Sequence, residues 1–274
     1  MTDGALPACS EPFTIDHRSD LLRSAPLGVA VVDRAWAFED SDGSGVTVAI
    51  IDSGVERDHP AVGGRLVRSM RVDLSGEDPV VVEDPEAVDV VGHGTACAGI
   101  IHSLAPAAEI VSIRVLGPDN KGKGAAFAAG LEWAIDAGAD VVNLSLSSKS
   151  DALYAAFHEL ADAAYFANVL LVSAANNVPG PSYPSLFAAV VSVAAHDVPD
   201  AWTWFYNPAP PVEFGAYGLD VDVAWRDGGR ILATGNSFAA PHVAGLAALI
   251  RAKHPGIAPF EVKAVLAATA TPIA

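Results

Sequence analysis

The sequence predicts an α/β protein in which a mostly parallel, twisted sheet carries helices on both faces. Three observations point there. Short β-branched runs alternate with longer stretches whose apolar residues recur at helical spacing, as strands joined by crossover helices do. Several strand candidates are apolar at consecutive positions, as strands covered on both faces must be. Finally, 51% of the 274 residues are apolar, enough to fill the core of one large domain.

The elements follow in chain order. The opening stretch "MTDGALPACSEPFTIDHRSD" has no apolar core of the kind a secretory leader needs. An N-terminal extension over 1–27 and a single domain over 28–274 are expected, on the resemblance given below. "VTVAII" (46–51) is a strand that runs straight into Asp52. "DLSGEDPVVVEDPEAVD" (73–89) is rich in proline and acid and reads as a solvated surface excursion. "GHGTACAGII" begins a helix of small residues. Strands are then expected at 109–116, 141–146, 169–174, 190–195 and 219–224. Helices are expected at 124–138, 151–167, 237–254 and 258–270. Pro241 is assigned to the first turn of its helix, where a missing N–H costs little.

Sixteen basic and thirty-three acidic residues leave a formal charge of −17. That argues against nucleic acid and anionic membrane as partners, since both need a basic surface. No apolar run reaches the length of a membrane span. The two cysteines, Cys9 and Cys97, are too few for a disulfide framework, and Cys97 in its small-residue run reads as a buried thiol. A cytoplasmic protein is the expectation.

Parallel sheets place ligands beyond the carboxyl ends of their strands, so polar residues there are candidates for chemistry. Asp52 ends one strand and Asn177 follows another, although each alone is ordinary turn chemistry. His93 stands between two glycines at a helix start. Ser237 opens an apolar helix, where a cap and a nucleophile are both good readings. Together they supply a carboxylate, an imidazole, an amide and a hydroxyl at one sheet edge. Acyl transfer asks for that set, and the order Asp, His, Ser is one known arrangement of it.

These residues lie in "VTVAIIDSGVERDHP", "GHGTACAGII", "VLLVSAANN" and "GNSFAAPHVAG", which resemble the aspartate, histidine, oxyanion and serine motifs of subtilisin-like serine proteases. The resemblance covers nearly the whole chain from about residue 28. It implies a subtilisin-like three-layer fold and a serine endopeptidase. Ser237 would be the nucleophile, His93 the general base and Asp52 the residue orienting His93, with Asn177 donating to the oxyanion. It also implies that a peptide lies between "LGPDNKG" (116–122) and "NLSLSS" (143–148). Gly122, Ser145, Leu146, Ser147, Ala175 and Asn176 would then line its site, and Tyr183–Pro184 would be cis.

Ser147 and Asn176 replace glycines usual in the family, and Asn236 replaces a threonine. A narrow primary pocket is therefore expected, favouring slender side chains. The acidic excursion before His93 suggests that basic residues are favoured elsewhere in the substrate. No cofactor is expected: zinc-ligand spacing is absent, and no oxygen-rich loop supports a structural calcium. The partner is a peptide or protein, and a dedicated processing role fits better than scavenging. Two rivals share the scaffold: a peptide ligase or macrocyclase, whose acyl-enzyme an amine resolves, and an inactive peptide-binding module.

Overall fold

The strand segments that are apolar at consecutive positions sit at the centre of the sheet. The computed structural model describes residues 32–272, Pro179 excepted. Among these, a nine-stranded sheet runs in the order β3, β2, β4, β1, β5, β6, β7, β9, β8. Its members are β1 (Thr47–Asp52), β2 (Leu66–Asp73), β3 (Val80–Glu83), β4 (Glu109–Arg114), β5 (Val141–Leu144), β6 (Leu170–Ala174), β7 (Val191–His196), β8 (Trp204–Tyr206) and β9 (Phe214–Tyr217). All neighbours are parallel except the two edge strands, β3 and β8, which run antiparallel to β2 and β9. A short helix α1 (Arg34–Phe38) leads into the sheet.

Strand alternation sorts side chains between the two faces. Ala49 and Ile51 of β1 pack into a core with Leu131 of α3 (Gly124–Asp136) and Phe157 of α4 (Tyr154–Phe166). The opposite face carries α2 (His93–Leu104), which touches β1, and α5 (Asn236–Lys253), which touches β5, β6 and β7. Asp52 is one residue beyond Ile51, so it points toward α2 and α5. Every residue of α5 from Phe238 to Arg251 is buried, which is why this helix is apolar on all sides. The last helix, α6 (Pro259–Ala268), starts at a proline and packs on α5.

The expected elements therefore form, with three corrections. The strand expected at 219–224 exists as β10 (Val221–Trp225), but it pairs with β11 (Gly229–Ala233) in a separate antiparallel ribbon. An antiparallel partner needs only a short turn, supplied by Asp227 and Gly228 at positive φ. The acidic stretch 73–89 is not a solvated loop throughout. It contains β3, and its Asp84, Ala87 and Asp89 are buried, while 74–78 is a continuous exposed run and Val80, Glu83, Pro85, Glu86 and Val88 are exposed singly or in pairs. Asp84 accepts two hydrogen bonds from Arg114, at 2.8 and 3.1 Å. Third, Pro241 lies in the second turn of α5, because the helix starts at Asn236. The boundary expected at residue 28, and Cys9, lie outside the described residues. Cys97 is a buried free thiol, and Tyr183–Pro184 is cis.

Candidate active site

The ends of β1, β5 and β6 meet the starts of α2 and α5 at a cleft of about 490 Å³. Its lining includes His93, Ser237, Asn177, Ser145, Leu146, Ser147, Ala175, Asn176 and Gly122. Asp52 lies beneath, fully buried, and His93 Nδ1 meets its two carboxylate oxygens at 2.9 and 2.8 Å. This contact directs the ring: Nδ1–H donates to the carboxylate, and Nε2 keeps its lone pair. Burial works against a charge on His93, but the adjacent Asp52 carboxylate outweighs it and holds the pKa well above its ordinary value. Ser237 borders the same cleft without a hydrogen bond to the ring, a contact that tightens only when substrate is bound in many such sites.

The start of α2 is held by a group the motifs did not advertise. One Asp89 oxygen accepts from the Ser53 hydroxyl and the Val91 and Gly92 N–H groups; the other accepts from the Thr95 N–H and hydroxyl. A carboxylate at a helix N-terminus satisfies orphan donors and complements the helix dipole. Asp89 thereby ties the loop after β1 to the turn bearing His93. An acid four residues before a helical histidine was the available signal. Gly94 has a related purpose: a Cβ there would collide with the carbonyl of Gly54 and approach Asp52. The small residue lets α2 abut β1, rather than freeing space around the imidazole.

At Ser237, the misplaced proline becomes informative. Pro241 has no N–H to give the Ser237 carbonyl, four residues earlier. The Ser145 hydroxyl donates to that carbonyl instead, at 2.8 Å. Cys97 Sγ lies 3.8 Å from the same oxygen and 3.9 Å from Asp52 Oδ2, and burial raises its thiol pKa. Asp52, His93 and Cys97 bring their ligand atoms within 4.8 Å of one another. An ion there would have to break the Asp52–His93 bond and deprotonate the thiol.

Asn177 is oriented from its oxygen end. Its Oδ1 accepts the Asn236 N–H at 2.9 Å, leaving the Nδ2 donors for another acceptor. A methyl group built on Gly235 would sit 3.3 Å from Ser237 Oγ and 3.6 Å from Asn177 Nδ2, so both groups converge on one small space. Asn236 staples the surroundings: its Nδ2 donates to the carbonyls of Ala175 and Asn176, and its Oδ1 accepts the Ala195 N–H. A threonine could not span all three. Residues 43–273 match the family model described as the subtilase family.

This chain belongs to the subtilase family. A thermostable alkaline protease of Halalkalibacterium halodurans is 30% identical to it over 262 residues, covering 91% of this chain and 69% of that one. Subtilisin BL of Lederbergia lenta is 33% identical over 261 residues, covering 91% and 92%. The crystal structure of a cold adapted subtilisin-like serine proteinase matches with a TM-score of 0.66 at 29% identity, covering 83% and 82%. The layered sheet described above is thus the subtilisin-like fold, and the chain is a serine endopeptidase.

Two features qualify what this subtilase is expected to bind. No described helix is long and apolar enough to cross a membrane. The acidic stretch 73–89 contributes nothing to the lining of the cleft, whose rim instead carries Lys121 and Lys123. The lining thus lends no direct support to the expected preference for basic substrates.

Proposed function

We propose that this subtilase cleaves internal peptide bonds through Ser237, His93, Asp52 and Asn177. The observation that carries this reading is the Asp52–His93 hydrogen bond opening onto the cleft that Ser237 borders. Ser237 Oγ attacks the scissile carbonyl carbon as its proton passes to His93 Nε2. Asp52 stabilises the resulting imidazolium. The carbonyl oxygen becomes an anion and takes the Asn177 amide and the Ser237 N–H as donors. The tetrahedral adduct collapses as His93 returns the proton to the leaving nitrogen. Water then repeats the cycle on the ester, giving a carboxylic acid and restoring Ser237.

The reading extends to a selective, processing type of cleavage. Ser147 and Asn176 bring side chains to the cleft wall, and slender residues before the scissile bond suit the space that remains. An alkyl fluorophosphonate tests the assignment. Ser237 should carry the adduct, with labelling absent in Ser237→Ala and much reduced in His93→Ala. Equal labelling of a folded His93→Ala protein would remove His93 as the base.

A further inference from the structure

Two edges enclose the cleft: the segment from Val115 to Gly124, and the segment from Ser145 to Ser148. The second edge meets the nucleophile, since the Ser145 hydroxyl donates to the Ser237 carbonyl, and by the resemblance to subtilases a peptide between the two edges would be the acyl half of the substrate. Apart from His93, the charged residues lining this space are Lys121 and Lys123. Both are exposed, and neither ammonium has a carboxylate partner among the described residues. The acid nearest in sequence, Asp119, is turned into its own loop. Its Oδ1 accepts the Lys121 N–H at 3.3 Å and lies 3.3 Å from where a Gly117 Cβ would be. A second bond, from Gly117 N–H to the Lys121 carbonyl at 2.8 Å, closes that turn and fixes where the two lysines leave the backbone. A molecule of net charge −17 thus presents a cationic edge along its substrate cleft.

We propose that Lys121 and Lys123 select peptides bearing carboxylate side chains in the residues on the acyl side of the scissile bond, beyond the primary pocket. This rests on the peptidase reading above and names its substrate class. A carboxylate on a bound peptide would meet lysines that have no carboxylate partner among the described residues. The whole-molecule field repels such a peptide at long range, but it is screened beyond about 8–10 Å at ordinary salt. Contacts within the cleft act inside that distance, so they decide the preference. Exposed ion pairs are weak, so the expected gain is about two- to five-fold per lysine.

The test uses the full chain and a peptide series differing only by Glu, Gln or Lys at each of the second to fourth acyl-side positions. kcat/KM is measured at about 20 mM and about 500 mM salt. At low salt the Glu peptide should exceed the Gln peptide several-fold at one or more positions, with the Lys peptide poorest. High salt should compress these ratios. In a Lys121→Glu, Lys123→Glu double variant the order should invert. Equal rates for Glu and Gln peptides would overturn the proposal while leaving the peptidase reading intact. So would a preference for Lys, or a Glu preference that survives the double variant. No cleavage of any peptide, with no fluorophosphonate adduct on Ser237, would remove the reading of the site and this proposal with it.

Discussion

At the scale of single residues, protonation decides what the site can do. His93 must be neutral to accept the Ser237 proton, yet Asp52 holds its pKa above the ordinary 6.5 despite the opposing cost of burial. The acid limb of kcat/KM should therefore lie above about pH 6.5. A pH profile checks this, and a limb at or below that value would deny the coupling. The sign for stability is opposite: the His93–Asp52 ion pair contributes fully below about pH 6.5 and fades as pH rises through the raised value. His242, buried in α5, behaves the other way. Burial lowers its pKa to about 4, with its Nδ1 held by the Phe238 carbonyl. The unfolded chain then binds a proton that the fold refuses. Stability should decline from about pH 6.5 to about pH 4, by about 3 kcal/mol from this residue. Urea midpoints across that range should fall less steeply in His242→Gln, if the variant's fold is retained at pH 7.5. A parallel decline would place the acid sensitivity elsewhere.

At the scale of elements, helix starts carry the residues proposed to act in catalysis, and each start is held by a residue outside those positions. Asp89 gathers five donors around the first turn of α2. Replacing it by alanine strands buried N–H and hydroxyl groups as well as removing a cap. A loss of about 3 kcal/mol is expected, with a fall in kcat because His93 is in that turn. Asp89→Asn should lose less stability, since the amide oxygen can still serve one set of donors. Denaturant titration and steady-state kinetics on both variants check this. An Asp89→Ala protein with unchanged midpoint would show that water replaces the carboxylate. The start of α5 is secured differently, by Ser145 beneath the carbonyl that Pro241 leaves unpaired and by Asn236 across to β6 and β7.

At the scale of the whole molecule, charge opposes compactness. Thirty-three acidic residues against sixteen basic ones repel one another in the folded state. Local pairs such as Lys263–Glu213 at 2.8 Å and Arg114–Asp84 at 2.8 Å relieve only part of this. Salt screens the diffuse repulsion more than it weakens such partly buried pairs. Thermal unfolding should therefore move upward by a few degrees between about 20 and 300 mM potassium chloride. A lower midpoint at higher salt would mean that the ion pairs dominate.

What the sequence determined by itself was whatever depends on near neighbours. Apolar runs and helical spacing were enough to locate β1, β4, β5, β6, β7, α3, α4 and α5, because burial of a face imprints a period on the chain. Asp52, His93, Asn177 and Ser237 were legible too, since each stands in a motif whose small neighbours permit close packing. Only the tertiary structure decided which groups those residues would meet. Ser145 and the Ser237 carbonyl are 92 residues apart, and Asn236 and Ala175 are 61 apart. No local pattern records such pairs. The same reason separates β10 from the main sheet, since an apolar strand reads alike whichever partner it finds. It also explains the cleft's charge: composition made the molecule acidic, but the fold left the residues of 73–89 out of the cleft lining, burying Asp89 beneath the His93 turn, and set Lys121 and Lys123 on the rim. Net charge is a sum over the chain, whereas a binding edge depends on where the backbone places a few side chains.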